Sequence, residues 1–315
     1  MALPPRVAVI DIGSNSIKIL IVARAPTGQY RVLKNRTLDA RISAGISDEK
    51  PVLSEVGMTR ALGAIRELVA ETSEYSVART VLVATSAVRD ASNGPAFCQR
   101  VKAATKQEIR ILSGREEAAY IGRGLTCDPE LEDLQDFYVF DLGGGSLECL
   151  SFKQRKIEQA VSLQLGCVRM TEKFIKDPAA PLQQQELAAL AGHAVAEIKQ
   201  SGFQFNLEPA PAAAVFMGGS MSTIRAINGA REQLKMEDTP PIIDVGLIGG
   251  VLEELAPLTL EQRKAIPGLP SARADVLPAA VVTMLAVANL GKIERFHHSI
   301  YNLRWGVAAE TLDRL

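Results

Sequence analysis

The chain has little of what disulfide frameworks and zinc sites are built from. Its 315 residues include only four cysteines and three histidines, and no two cysteines form a CxxC pair. We interpret the cysteines as reduced thiols and expect a cytoplasmic protein. Long hydrophobic runs are also missing. The longest mostly apolar stretch, residues 276–290, is interrupted by Pro278 and Asn289. It is too short to span a bilayer, so we expect no membrane partner.

Neither sign of charge is in excess, because 35 basic residues face 36 acidic ones and the formal net charge is −1. This balance argues against a nucleic-acid polymer as partner, since such proteins usually carry a strong positive field. The motifs GxxxxGK[ST], GxGxxG and HExxH are absent too, which disfavours P-loop, dinucleotide-binding and zincin functions. The 47% hydrophobic and 23% charged content indicates a globular protein with a large core.

A strand–turn–strand unit occurs twice along the chain, over residues 6–24 and again over residues 137–150. A shift of 130 residues aligns Asp11 with Asp141, Gly13 with Gly143, and Ser16 with Ser146. Apolar, β-branched segments on both sides of a glycine-containing turn predict a β-hairpin in each copy. Because predicted strands and helices alternate along the rest of the chain, we expect two duplicated α/β domains, residues 1–126 and 127–315.

Three turns combine glycine with hydroxyl side chains. They contain Gly13, Ser14, Asn15 and Ser16; Gly143, Gly144, Gly145 and Ser146; and Gly218, Gly219 and Ser220. Glycine allows close approach of the backbone and lets several N–H groups face one anion. The third turn lies between a predicted strand and a predicted helix, whose N-terminus favours phosphate. Each turn alone is equally explained as a plain turn, but together they indicate binding of a phosphate chain.

Acidic residues accompany these turns. Asp11 and Asp141 precede the glycines, and Glu148 follows the second turn. Mg²⁺ is commonly held by one or two carboxylates with water and substrate phosphates, so these three acids are candidate ligands for Mg²⁺ or another divalent cation. The alternative is that each aspartate caps its own turn. Glu116 and Glu117 open a predicted helix, where either first-turn capping or general-base chemistry explains them.

A series of motifs extends over nearly the whole chain. It comprises Asp11-Ile-Gly-Ser-Asn-Ser16, Ala84-Thr-Ser-Ala-Val-Arg89, Ser113-Gly-Arg-Glu-Glu-Ala118, Asp141-Leu-Gly-Gly-Gly-Ser-Leu-Glu148, Gly218-Gly-Ser220 and Ala272-Arg-Ala-Asp275. With these motifs the chain resembles the exopolyphosphatase / guanosine pentaphosphate phosphohydrolase family, in its short form without C-terminal helical domains. The resemblance implies a duplicated actin-like, sugar-kinase or Hsp70-type (ribonuclease H-like) α/β fold with a central cleft. It leaves room for the last C-terminal residues to pack on the first domain.

The resemblance also implies roles for individual residues. Glu117 matches the family's proposed catalytic base, and Arg89 matches the arginine of a loop that we place at residues 85–94. Arg273 matches a basic residue suited to holding an anion. The two hairpin turns match phosphate loops, and Asp141 and Glu148 match metal-associated acids. In the first hairpin, Lys18 stands where the family often has arginine; it keeps the charge but weakens bidentate phosphate binding.

We therefore expect an Mg²⁺-dependent exopolyphosphatase that removes the terminal phosphate of inorganic polyphosphate, with Glu117 activating water. Guanosine pentaphosphate (pppGpp) is the alternative substrate. Two other classes stay open: an actin-like kinase, and a protein that binds an alarmone or polyphosphate without turnover. Five basic residues between positions 100 and 115 could track a polyanion or form a solvated helix face. The resemblance is compatible with a homodimer.

Overall fold

The computed structural model describes residues 4–25, 28–43, 45–208 and 210–315. The chain divides into two compact units. The first comprises Met1–Pro129 and Tyr301–Leu315, and the second comprises Glu130–Ile300. Each unit contains one mixed β-sheet with helices packed against it.

The sheet of the first unit has five strands in the order β3-β2-β1-β4-β5. They are β1 (Arg6–Ile12), β2 (Ser16–Arg24), β3 (Tyr30–Asp39), β4 (Arg79–Ala84) and β5 (Ile109–Ile111). The first three strands pair antiparallel, and β4 and β5 run parallel to β1. Helix α1 (Glu55–Glu71) connects β3 to β4, α2 (Ser86–Asp90) and α3 (Gly94–Thr105) connect β4 to β5, and α4 (Gly114–Leu125) follows β5.

The sheet of the second unit has six strands in the order β10-β11-β9-β6-β7-β8. They are β6 (Phe137–Leu142), β7 (Leu147–Lys153), β8 (Lys156–Leu163), β9 (Ala213–Met217), β10 (Ile242–Asp244) and β11 (Arg295–His298). The helices of this unit are α5 (Cys167–Phe174), α6 (Gln184–Gln200), α7 (Gly219–Arg231), α8 (Val245–Leu255), α9 (Leu260–Lys264) and α10 (Leu277–Gly291). The last helix of the chain, α11 (Leu303–Asp313), belongs to the first unit.

The two sheets repeat one topology. The strands β8, β7, β6, β9 and β11 follow one another in the same order and with the same directions as β3, β2, β1, β4 and β5. The second sheet adds β10, antiparallel to β11, at its edge. Both predicted hairpins form, since β1 pairs with β2 and β6 pairs with β7. The predicted fold class, a duplicated actin-like α/β fold, is confirmed.

Each sheet is stabilised by burying β-branched and aromatic side chains. In the first unit, Val7 to Ile10 on β1 are fully buried. In the second unit, the Phe140 ring lies 5.9 Å from Phe216 and 6.2 Å from Phe296, so aromatic contacts join three adjacent strands. The apolar stretch noted in the sequence forms α10, which is buried on nearly all sides. Within the described residues, none of the helices combines the length and apolar character needed to cross a membrane.

The C-terminal helix α11 completes the first unit by packing on α4. Glycine permits the close approach, because a Cβ on Gly306 would lie 1.9 Å from the carbonyl oxygen of Tyr120. Arg304 is buried in this contact and donates from Nη1 to the Ile19 carbonyl at 3.2 Å and to Asn35 Oδ1 at 2.8 Å. The last residues therefore bind directly to the β2–β3 hairpin.

Candidate functional site

The two hairpin turns have the same backbone geometry. The Gly13 amide donates to the Ser16 carbonyl at 3.2 Å, and the Gly143 amide donates to the Ser146 carbonyl at 3.0 Å. Within the described residues, the amides of the two residues inside each turn, Ser14-Asn15 and Gly144-Gly145, find no acceptor. Buried N–H groups are nearly always paired, so such donors are suited to an anion from solution.

The first turn is held by hydrogen bonds from residues 41–43 to its carbonyl groups. Ser43 donates from Oγ to the Ser14 carbonyl at 2.9 Å, and the amide of Arg41 donates to the Asn15 carbonyl at 2.9 Å. These hydrogen bonds fix the carbonyls of the turn. The Ser14 hydroxyl lies 3.3 Å from the hydroxyl of Ser86, which begins α2. This contact links the turn to the helix that carries Arg89.

The second turn is held by the start of α5. The amides of Cys167 and Val168 donate to the carbonyls of Gly143 and Gly144 at 3.0 and 2.9 Å. Arg169 is buried and donates from Nε to the Gly145 carbonyl at 3.0 Å. The helix N-terminus thus contacts the carbonyl side of the turn and stabilises its conformation.

Asp11 lies at the end of β1, opposite Lys18 on β2. Its Oδ1 is buried and has no hydrogen-bond partner within the described part of the chain. Burial raises the pKa of Asp11, while the positive charges of Lys18 and Arg304 lower it. A buried carboxylate oxygen without a partner is costly. Asp11 therefore suits a ligand that supplies a cation or a hydrogen-bond donor.

Arg89 and Glu117 form an ion pair in the first unit. Arg89 donates from Nη1 to Glu117 Oε2 at 2.8 Å and to the Leu112 carbonyl at 2.9 Å. Glu117 is only 6% exposed, whereas its neighbour Glu116 lies on the surface. Glu116 forms a capping box with Ser113 at the start of α4. The sequence alone does not distinguish the roles of these two glutamates. In the structure, Glu116 caps the helix, and Glu117 lies buried against an arginine.

Asp141 and Glu148 are cross-strand partners on β6 and β7. Side chains at directly opposed positions lie on the same face of a sheet. Ser162 on β8 donates to Glu148 Oε1 at 2.7 Å, which orients that buried carboxylate. Among the described residues, no group of three or more histidine, cysteine or acidic side chains is placed to hold a metal ion. Two carboxylates still fit Mg²⁺, which takes its other ligands from water and phosphate.

The Gly218 turn adjoins Asp141. Gly218 has a φ of +98°, and a Cβ there would lie 2.5 Å from the Leu142 carbonyl oxygen and 3.0 Å from Asp141 Oδ1. The next residue, Gly219, lies against the Arg273 guanidinium, because a Cβ on it would lie 2.0 Å from Nη2. Glycine is therefore required at Gly218, whereas a side chain at Gly219 would displace the Arg273 guanidinium. The turn brings Arg273, Gly219 and Asp141 together in one unit.

The basic segment between positions 100 and 115 is largely neutralised by acids. Arg100 pairs with Glu55 at 2.8 Å, Lys102 with Glu108 at 2.5 Å and Arg110 with Glu116 at 2.5 Å. These contacts favour a solvated, salt-bridged surface for most of the segment. Two of its members, Lys106 and Arg110, line a cavity of about 440 Å³ in the first unit together with Arg79 and Arg314.

The sequence did not predict the contributions of Ser43 and Arg169 to the turns, nor those of Ser86 and Ser162. Ser86 was assigned only to a loop, and Ser162 belongs to a strand that had not been predicted. Both act over long separations in sequence, 72 residues from Ser14 and 14 from Glu148. The Ser-x-x-Arg spacing that places Ser86 and Arg89 on one helical turn was the available signal for Ser86.

Comparison with known proteins shows the fold and the family of this chain. A crystal structure of an exopolyphosphatase from Cytophaga hutchinsonii ATCC 33406 is similar with a TM-score of 0.87 and 23% identity, covering 98% of both chains. A Ppx/GppA family member from Aquifex aeolicus has a TM-score of 0.79 and 23% identity, covering 99% of both. These likenesses show the fold.

A curated relative is the guanosine-5'-triphosphate,3'-diphosphate pyrophosphatase of Vibrio vulnificus (strain YJ016). It is 26% identical, and the alignment covers 99% of this chain but only 60% of the relative. The present chain thus spans about three fifths of that protein's length. The model of the Ppx/GppA phosphatase family matches residues 21–315, which include most of the residues described above. The chain belongs to the Ppx/GppA phosphatase family.

Proposed function

We propose that this protein hydrolyses the terminal phosphoanhydride of inorganic polyphosphate and releases orthophosphate. The observation that carries the proposal is the ion pair of buried Glu117 with half-buried Arg89 at 2.8 Å, in the unit whose Ser14 and Asn15 amides face no acceptor among the described residues. A buried carboxylate held in one orientation by an arginine is suited to activating water. The exopolyphosphatase of similar fold and the family assignment support the same chemistry.

In the proposed reaction, a water oxygen attacks the terminal phosphorus while Glu117 accepts a proton from that water. The bond between the terminal phosphorus and the bridging oxygen breaks, and the shortened chain departs with the electron pair. Arg89 and the inner amides of the turns Gly13–Ser16 and Gly143–Ser146, those of Ser14, Asn15, Gly144 and Gly145, would bind phosphate oxygens and stabilise the developing charge. Arg273 would hold a further phosphate oxygen. Lys18 would contribute charge beside Asp11.

Mg²⁺, or another divalent cation, is part of the proposal. Asp141 and Glu148 would hold it in the second unit, and Asp11 is a separate candidate ligand in the first unit. The bound cation would neutralise phosphate charge. Gly218, Gly219 and Ser220 would supply further backbone and hydroxyl donors. We also propose a cytoplasmic location, which the four free cysteines support, and no nucleic-acid polymer or membrane as partner. A homodimer remains an expectation from the family resemblance.

The alternative substrate is pppGpp, which the name of the curated Vibrio relative favours. Removal of its 5'-terminal phosphate is the same reaction on a nucleotide. The cavity lined by Lys106 and Arg79 allows the two substrates to be distinguished, because both side chains are exposed. If a polyphosphate chain extends there, Arg79→Ala with Lys106→Ala raises KM for long polyphosphate and leaves KM for pppGpp unchanged.

The test is phosphate release, with Mg²⁺, from matched concentrations of long polyphosphate, short polyphosphate and pppGpp. Release from polyphosphate that disappears in Glu117→Gln supports the proposal. Faster release from pppGpp selects the alternative. Tight binding without release would indicate a non-catalytic binding protein, and transfer to an acceptor other than water would indicate a kinase.

A further inference from the structure

A chain of polar side chains in the second unit runs from the protein interior to the Gly218 turn. The Arg225 guanidinium on α7 lies 3.3 Å from His298 Nδ1, measured from Nη1. The other ring nitrogen of His298, Nε2, lies 3.0 Å from Ser222 Oγ. Ser222 Oγ in turn lies 3.2 Å from the carbonyl oxygen of Gly218. The reaction proposed above uses none of these three side chains.

The chemistry of the groups fixes the direction of every hydrogen bond in this chain. A guanidinium only donates, so His298 Nδ1 must accept and carries no proton. The neutral ring then has its proton on Nε2, which donates to Ser222 Oγ. The Ser222 hydroxyl is left to donate its own proton to the Gly218 carbonyl. Burial and the charge of Arg225 lower the pKa of His298 to about 4, which keeps the ring neutral at neutral pH.

At the inner end of this series of hydrogen bonds, Arg225 is held in place by the backbone. Arg225 is buried, and its Nε donates to the Thr239 carbonyl at 2.8 Å. Its Nη2 donates to the same carbonyl oxygen. The guanidinium is therefore held by backbone on one side and presents Nη1 to the histidine on the other. His298, at the end of β11, is 5% exposed.

The outer end of the chain acts on the Gly218–Gly219 peptide group. The Gly218 carbonyl and the Gly219 amide belong to one planar peptide unit, so fixing the carbonyl fixes the direction of the N–H. Within the described residues, the Gly219 amide donates to no acceptor. The same peptide lies beside Asp141 Oδ1 and under the Arg273 guanidinium.

We propose that His298 is a positioning residue that orients the Gly219 amide through Ser222 and the Gly218 carbonyl, so that the amide binds a phosphate oxygen of the substrate. The proposal rests on the proposed function, since it gives the Gly218 turn a phosphate to bind. The Ser222 amide also donates to the Gly218 carbonyl, at 3.2 Å, so His298 adds a second constraint to the one that the backbone supplies.

Two amide substitutions test the two hydrogen bonds of His298, to Arg225 and to Ser222, separately. In His298→Asn the side-chain amide replaces Nδ1, so the contact with Arg225 is kept and that with Ser222 is lost. In His298→Gln the amide nitrogen replaces Nε2, and the contact with Ser222 is kept. We expect kcat to fall roughly tenfold in His298→Asn and in Ser222→Ala, as for the loss of one hydrogen bond, and to stay near the parent value in His298→Gln. His193→Asn, on α6 in the same unit, is the matched control.

Nuclear magnetic resonance gives a readout that does not depend on turnover. With three histidines in the chain, selective ¹⁵N labelling identifies His298 directly. We expect an Nε2-protonated ring that does not titrate between pH 5 and 8, and a Gly219 amide resonance that shifts in His298→Asn and Ser222→Ala but not in His193→Asn. If no substrate is hydrolysed, the proposed function fails while these spectra still decide the positioning role. The positioning role would be overturned by an Nδ1-protonated ring or by an unshifted Gly219 amide resonance. It would also be overturned if His298→Asn and His298→Gln lost kcat equally and in proportion to their loss of melting temperature.

Discussion

Arg89 Nη1 donates at once to the carboxylate of Glu117, at 2.8 Å, and to the carbonyl of Leu112, at 2.9 Å. Leu112 directly follows β5, and Glu117 lies in the first turns of α4. The arginine therefore joins the strand to the helix at the point where the carboxylate must be held. A buried carboxylate with a charged, bidentate-capable neighbour keeps one orientation, which is what a general base requires.

Neutralising Glu117 tests its proposed role as general base. We expect Glu117→Gln to lower kcat by about 10²–10⁴-fold, since the attacking water loses its proton acceptor. Glu116→Gln is the matched control, because glutamine also forms the capping box with Ser113 and should leave kcat nearly unchanged. The comparison requires phosphate-release kinetics on both variants. Similar losses in the two would contradict the assignment.

Removing one carboxylate from the Asp141–Glu148 pair should weaken the response to Mg²⁺. We expect Asp141→Asn and Glu148→Gln to raise the Mg²⁺ concentration for half-maximal activity by about 10–100-fold or more, and Ser162→Ala to raise it less. Asp136→Asn serves as the control, since that aspartate accepts from the Gln154 amide near the other end of β6. An unchanged Mg²⁺ titration in both carboxylate variants would remove them from the metal site.

Gly218 should tolerate no side chain, whereas another glycine with positive φ should tolerate one. Both Gly218 and Gly202 have positive φ, so alanine costs about 1 kcal/mol of unfolding free energy or more at either site. Only at Gly218 does the added Cβ also meet a backbone carbonyl oxygen, at 2.5 Å, while Gly202 faces open space. Urea unfolding and kcat measured together should show a larger loss of both for Gly218→Ala than for Gly202→Ala.

Acid should destabilise the second unit through His298. Burial lowers the pKa of this histidine from 6.5 to about 4, so between these values the unfolded chain binds more protons than the folded one. Its stabilising contribution is complete above about pH 6.5 and is lost as the pH falls toward 4, by at most about 3 kcal/mol. Unfolding free energies of the parent and His298→Gln, compared across this range, should differ in slope. Parallel curves would contradict the prediction.

The strands that could be predicted are those whose own residues form a clear apolar pattern. β1, β2, β6 and β7 carry continuous β-branched or apolar runs around glycine turns, and the duplication reveals itself by the 130-residue shift. The short helix α2 within residues 85–94 was predicted as a loop, because its order comes from partners distant in sequence, such as Leu112 for Arg89. β3 and β8 lie at sheet edges and alternate between exposed and half-buried residues, so they lack that apolar signal.

For the site, residue types were predictable but partners were not. The spacing of Glu116 and Glu117 is the same whether one or both cap the helix, and only burial against Arg89 separates them. The basic segment shows the opposite outcome. Its positive charge is plain in the sequence, yet Glu55 lies 45 residues from the Arg100 that it pairs with. The sequence shows which charges a segment carries, but the fold determines which oppositely charged side chains pair with them.

The position of α11 has a consequence for synthesis on the ribosome. The first unit needs α11, whose Arg304 bonds to Ile19 and Asn35, but all of Glu130–Ile300 is translated in between. The second unit is contiguous and is fully extruded before its companion has its last helix. The surface of the N-terminal sheet that receives α11 therefore stays uncovered until residues 301–315 have been synthesised. Nascent chains shortened before Tyr301 should consequently be bound by chaperones at this surface.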